Sequence, residues 1–331
     1  VASTQHNDGL ITYDIAVPKE LANIVILDAS HNIRDLIGLD TTIQQADFEP
    51  MVSYQNVTVH QLRHASGRSK MTQEFKKKQE DRKVSLEIAQ VVKQIPPDEA
   101  IILFTFKARH REVDFQSILK RDLEKQGIDT TAKLPGSGLD RFVWLTWGNE
   151  TSLSEFSYCS NVIFAGVLHR DWVDLASAIA GQSDDLLLDI TNEQVREVER
   201  SEIAHCLYQA MSRGSSRIVR GELTLPMKVW LIHKDEGIRD VIQKVMPGIR
   251  WGAWEPEHLL SKGKIELTTD RILDYLKGLP LTTARVATRT VKKQLDLGDM
   301  PKMTFTCAVK AISDGWTLAG QSLARVGSPF S

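Results

Sequence analysis

Cysteine is scarce in this chain: its 331 residues include three, Cys159, Cys206 and Cys307. Their wide separation excludes a disulfide framework and a CxxC metal site, and three thiolates alone do not complete a four-thiolate iron–sulfur cluster. A reducing cytoplasm is the expected setting. No apolar run approaches the roughly 18 residues of a membrane span, and no basic, apolar, small-residue leader is present. Neither secretion nor a membrane partner is expected. The sequence also lacks HExxH, a GxSxG elbow and GxxxxGK[ST]. The first two absences argue against zinc-protease and serine-hydrolase chemistry. The third removes the backbone nest and lysine that hold nucleotide phosphates. Gly67-Arg68-Ser69-Lys70 has that loop's ingredients without its spacing. The nine histidines show no ligand spacing, and His205-Cys206 reads as a packed pair. Asp184-Asp185, near Asp189, reads as charge at a helix entry, so no metal site is expected.

Charge of one sign is not in excess overall, the net being -2, but its distribution is uneven. From Pro256 onward there are 11 Lys+Arg against 7 Asp+Glu, a balance of +4, which leaves -6 for the remainder. A modestly basic tail on an acidic body is compatible with a nucleic-acid contact.

What is present is an alternation of apolar strands and amphipathic helices. Buried strands are expected over Asn23–Ser30, Ala100–Lys107, Arg141–Trp147, Asn161–Gly166 and Lys228–Ile232. The basic stretch from Arg68 to Lys83 reads as a solvated loop and helix start. Val84, Ile88, Val91 and Val92 then form one helical face, which Pro96-Pro97 ends. Val113–Lys125 is a helix closed by Gly127, and Thr191–Met211 a helix with Thr191 as N-cap and Gln194 three residues on. This order gives an α/β fold: a parallel sheet with helices on both faces. The pattern changes around Pro247–Pro256, so domains are expected at 1–255 and 256–331.

The end of the Thr191–Met211 helix runs into Gln209-Ala210-Met211-Ser212-Arg213-Gly214-Ser215-Ser216-Arg217. A glutamine and two guanidinium groups at a helix end suit charge that develops on a transferring phosphoryl group. A solvated helix end with arginines favourably placed on the C-terminal dipole carries the same residues. The segment resembles motif VI of superfamily 2 helicases, Q-x-x-x-R-x-x-R, with the second arginine one residue late. Leu27-Asp28-Ala29-Ser30 resembles motif III, and Ile102-Leu103-Phe104-Thr105 resembles motif IV. Thr146-Trp147-Gly148, with Ser154-Glu155-Phe156 and Asn161-Val162-Ile163, is similar to motif V; Ser160 replaces an aspartate often found there. The resemblance covers about Asn23 to Arg250.

The resemblance implies a RecA-like second helicase lobe. Arg213 and Arg217 would be its arginine fingers and Gln209 a nucleotide- or water-positioning group. Gly148, Asn149 and Glu150 would touch the nucleotide, and Thr105, Lys107 and Thr146 the nucleic acid. ATP with magnesium would bind at a cleft completed by a P-loop lobe or subunit outside these residues.

The tail reads as three helices, around Ile272–Leu276, from Leu281 through Leu295, and over Met303–Ser313, followed by a hairpin over Gly315–Arg325. That pattern resembles a winged helix-turn-helix, which implies DNA contact through Thr304, Thr306, Lys310 and Arg325. A protein–protein winged helix or a capping bundle has the same pattern. The leading expectation is a DNA helicase or translocase module, with replication as a natural setting and single-stranded or duplex DNA as partner. The alternative is a non-enzymatic DNA-binding or replication-accessory protein using the lobe as a scaffold.

Overall fold

The computed structural model describes residues 2–3, 8–9, 25, 30–44, 46, 50–109, 112–149, 154–185, 187–259, 264–280, 283–298, 300–312 and 316–325. The chain divides into two compact units, 1–259 and 260–331.

Among the described residues the main sheet of the first unit has six strands: β1 (Val57–Leu62), β2 (Ile101–Thr105), β3 (Phe142–Thr146), β4 (Asn161–Phe164), β5 (Met227–Ile232) and β6 (Arg250–Ala253). They pair in the order β6-β1-β5-β4-β2-β3, and every pairing is parallel. The central strands β2 and β4 are buried along their whole length, as unbroken apolar runs require when helices cover both faces. The edge strand β6 has no buried residue.

The helices are α1 (Asp35–Gly38), α2 (Arg68–Phe75), α3 (Lys83–Gln94), α4 (Phe115–Lys125), α5 (Trp172–Gln182), α6 (Asn192–Met211) and α7 (Ile238–Val245). From β1 the chain moves through α2 and α3 to β2, and through α4 to β3. From β4 it returns through α5 and α6 to β5, and through α7 to β6. Right-handed crossovers in opposite directions put α3 and α4 on one face and α6 and α7 on the other; α3 touches α4, and α6 touches α7. This is an α/β domain, a parallel sheet with helices on both faces, as the sequence pattern implied. Among the described residues no helix is long and apolar enough to cross a membrane.

Several elements depart from the sequence reading. Of the strand expected at Asn23–Ser30, Val25 and Ser30 alone lie among the described residues; Val25 is exposed outside any strand and Ser30 lies in a buried turn. β1 was not expected, although Val57-Thr58-Val59-His60-Gln61-Leu62 alternates in burial as a half-covered strand does. The Arg68–Phe75 stretch, expected as part of a solvated loop and helix start, is a helix that buries Met71, Glu74 and Phe75. The region read as a boundary contains β6. Beyond it the buried carboxylate of Glu87 on α3 accepts the Glu257 amide at 3.2 Å and also those of His258 and Leu259, so these residues belong to the first unit.

The second unit comprises α8 (Lys264–Lys277), β7 (Arg285–Ala287), α9 (Thr288–Gln294), α10 (Lys302–Lys310), β8 (Trp316–Ala319) and β9 (Ser322–Arg325). Its antiparallel sheet has the order β7-β9-β8. Ile272, Leu276, Val286, Val291, Ala308, Val309, Trp316 and Leu323 form its own core. The helix expected from Leu281 starts at Thr288, because Arg285–Ala287 pairs with β9. The expected hairpin is present, turning at Gly320, whose φ of 63° favours glycine.

Candidate functional site

The sheet's amino-terminal edge carries the Gln209–Arg217 segment. α6 is fixed at its start by a capping box, in which the Gln194 amide donates to Thr191 Oγ1 at 3.2 Å and the Thr191 amide to Gln194 Oε1 at 2.9 Å. At its other end the Arg213 guanidinium, 8% exposed, donates to Gln209 Oε1 at 3.1 Å. Arg213 lies two residues past the end of α6, so this bond folds its side chain back onto the last turn of the helix.

The chain then turns sharply. The Ser215 amide donates to the Cys159 carbonyl at 2.8 Å, and Ser215 Oγ to the Pro226 carbonyl at 2.7 Å. The turn is thereby pinned just ahead of β4 and β5. A Cβ on Gly214 would lie 2.8 Å from Met227 Sδ and 3.0 Å from the Cys159 oxygen, so close approach is what requires glycine. Ser216, where the helicase spacing places the second arginine, is buried and donates to the Met211 carbonyl at 3.2 Å. That position has no room for a guanidinium. Arg217 is exposed on the following 3-10 turn. Gln209 and Arg213 are thus brought together.

The other nucleotide candidates lie at the opposite edge. Gly148 (φ 96°) and Asn149 follow β3, with the Asn149 amide on the Thr146 carbonyl at 2.9 Å and its Nδ2 on Thr146 Oγ1 at 3.2 Å. This closed turn occupies Asn149 and Thr146 with each other. Glu150 lies outside the described residues. About 15 Å of parallel strand, at roughly 3.3 Å per residue, separates the two ends of β3. Gly148 and Asn149 therefore do not line one pocket with Arg213 inside this unit. Thr105, buried, ends β2, and Lys107, exposed, follows it.

The carboxyl edge also holds groups that sequence reading missed. A histidine follows each of β1, β4 and β5: His64, His169 and His233. His169 Nδ1 is 2.9 Å from Glu199 Oε1, and its ring lies 5.8 Å from that of His233. Burial, reinforced by His169, pushes His233 down to about 4, and burial also lowers His64. No spacing in the sequence links these residues; the proximity of His169 and His233 depends on the parallel register of the strands they follow.

His205 Nδ1 lies 2.8 Å from Ser30 Oγ, while Glu202 takes both Arg34 and Arg170. Ser30 is fully buried, so this pair ties α6 to the 30–38 segment rather than offering a nucleophile. Among the described residues no group of three or more His, Cys, Asp or Glu is placed to hold a metal ion.

In the tail, Lys302, Thr306 and Lys310 recur every four residues and share one face of α10. Thr304 is not on it: two residues at about 100° each place it across the helix from Thr306, in line with buried Ala308. Thr306 Oγ1 donates to the Lys302 carbonyl at 2.8 Å. The Arg325 guanidinium lies over the Trp316 ring at 4.9 Å. On α9, Arg289 and Lys293 are exposed, and the Lys292 ammonium lies 5.6 Å from the Phe305 ring.

No protein-family model and no curated protein matches the chain. Among solved structures, one named XPD_APO is similar over 61% of this chain, at 12% identity and a TM-score of 0.35. The chain covers 40% of that structure's length.

Proposed function

We propose that this chain is a module of a nucleic-acid-dependent ATPase, a helicase or translocase, in which the first unit presents Arg213 to a nucleotide held on another lobe. The observation that carries the reading is the Gln209–Arg213 pair at the end of α6, pinned by Gly214 and Ser215 to the start of β4 and β5. A guanidinium held by a carboxamide on a rigid turn costs little reorganisation when charge develops on a phosphoryl oxygen. The donor set fits one side of a triphosphate. It does not fit a magnesium ion, whose carboxylates, with the P-loop, belong to the other lobe. Arg213 would stabilise charge and Gln209 would orient the guanidinium or a water. ATP binding and hydrolysis would then need both lobes. In the second unit, the order helix, strand, helix, helix, strand, strand supports reading it as a winged helix that contacts DNA through α10.

The test is ATP turnover in the assembled two-lobe enzyme. Arg213→Ala should lower turnover about 10³-fold with little change in nucleotide affinity, because a finger acts mainly in the transition state. Arg217→Ala should have the smaller effect. Unchanged turnover in Arg213→Ala rejects the reading.

A further inference from the structure

The connections of the sheet part company between β2 and β4: β2 runs on through α4 to β3, and β4 runs back through α5 and α6 to β5. At such a point a crevice opens beyond the carboxyl ends of the strands, where open α/β sheets take their ligands. Here α2 begins over that crevice. The loop after β1 crosses the end of β5, where the His233 amide donates to the Leu62 carbonyl at 3.0 Å. It then reaches the end of β4, where the Val167 amide donates to the Ser66 carbonyl at 3.0 Å. A Cβ on Gly67 would meet the His169 ring at 3.3 Å. A Cβ on Gly166 would strike Phe106 at 2.5 Å and meet Met71 at 3.2 Å, so the body of α2 lies over both strand ends. Arg68 donates to the Lys107 carbonyl at 2.9 Å and ion-pairs with Glu112 at 3.2 Å.

Two independent features make this corner suited to an anion. The eight-residue α2 has a glycine N-cap, no side-chain cap and no acid in its first turn, so neither its cap residue nor its first turn satisfies the leading amides and positive dipole end. Beside it, Ser66 Oγ and Thr105 Oγ1, in residues 2% and 1% exposed, have no hydrogen-bond partner among the described residues. Ser66 immediately precedes the N-cap, and Thr105 ends β2 at the crevice. A buried hydroxyl without a partner is costly, and packing alone would favour alanine and valine there. Lys70 in the first turn, and Lys107 and Arg109 just after Thr105, are exposed cations. The neighbouring carboxylates Glu112 and Glu199 are engaged by Arg68 and His169. From the first turn a groove of about 500 Å³ follows α2, lined by Arg68, Ser69, Thr72, Gln73, Lys76 and Glu112.

We infer that the start of α2, with the Ser66 and Thr105 hydroxyls, is a phosphate-binding site, and that its occupant is a phosphodiester of a single nucleic-acid strand that continues along the α2 groove. Naming nucleic acid rests on the function proposed above; the phosphate chemistry does not. Backbone amides and hydroxyls recognise a phosphate without reading a base, so binding is sequence-tolerant.

The experiment titrates the full chain with labelled oligo-dT of about 20 nucleotides, and in parallel with inorganic phosphate and ATP as competitors. Ser66→Ala and Thr105→Val should each weaken binding about 10-fold, the scale of one hydrogen bond to a charged group. Both should melt at or above the wild-type temperature. Ser69→Glu, at an exposed position, should weaken binding further while its carboxylate favours the helix start. Binding of phosphate or ATP that these variants abolish, without oligonucleotide binding, keeps the phosphate site and assigns it to a free nucleotide. Wild-type affinity in all three variants, or no binding of any of these ligands, overturns the site. Arg213→Ala should bind the oligonucleotide as wild type does, so failure of the ATPase reading and failure of this site are separate results.

Discussion

At the scale of single residues, the amino-terminal edge is held by contacts that leave little freedom. The atoms a Cβ on Gly214 would meet are a thioether and a backbone carbonyl, and the carbonyl cannot retreat without moving β4. Gly214→Ala should cost about 1–3 kcal/mol, as overpacking does, in a urea denaturation followed by circular dichroism. A change below a few tenths would mean that the turn is not locked. His233 offers a second measurement. Its folded value is about 4 against 6.5 for the free side chain, so between those pH values the unfolded chain binds more protons. The stability it contributes is fully present above pH 6.5 and is lost as pH falls towards 4, by up to roughly 3 kcal/mol. Asp235, Glu199, Lys234 and His169 also act on this ring, so the comparison is between variants. His233→Gln should lose stability less steeply from pH 6.5 to 4 than the wild type. Equal slopes would show that His233 titrates normally in the folded protein.

At the scale of elements, the clearest coupling joins α3 to the segment after β6. Glu87 is 1% exposed, yet its carboxylate accepts the amides of Glu257, His258 and Leu259. Glu87→Ala should leave those amides without an acceptor and destabilise the first unit by about 2–3 kcal/mol, the range for hydrogen bonds to a charged group. Hydrogen exchange at 257–259 should accelerate in the variant while β2 and β4 stay protected; unchanged exchange there would refute the coupling. This contact also shows what sequence could not give. Long apolar runs such as Ile101–Thr105 and the Thr191/Gln194 box were legible because their signal is local. β6 was not, because Arg250-Trp251-Gly252-Ala253 is a strand only through its pairing with β1. β7 failed for the same reason: Arg285–Ala287 is extended because β9 lies beside it. At the candidate site, Gln209 and Arg213 could be paired from helical spacing alone. That Gly148 and Asn149 lie at the other end of the sheet, and that Ser66 and Thr105 lie at its same carboxyl edge, follows only from strand order.

At the scale of the whole molecule, two units with separate cores imply separate unfolding and separable functions. Val309→Ala, a truncation inside the second core, should lower the tail's midpoint and leave the first unit's unchanged; one shared transition would contradict the division. The tail's proposed DNA contact can be isolated in the same way. Lys302, Thr306 and Lys310 form one face of α10, and α9 adds exposed Arg289 and Lys293, while neither helix carries an acid in its first turn. Those four cations define the electrostatic term: about 0.9 counterions released per phosphate gives a log–log salt slope near -3 to -4 for duplex binding by the full chain. Lys302→Glu combined with Lys310→Glu should lower duplex affinity at least 10-fold and flatten the slope by about 2, because each reversal removes one phosphate contact. Thr304→Ala should do neither, since Thr304 lies on the Ala308 side of the helix. Arg325→Ala should act mainly on stability, through the lost stacking on Trp316. Duplex binding that keeps its full slope in the double reversal would place the DNA contact off α10 and leave that face for a protein partner.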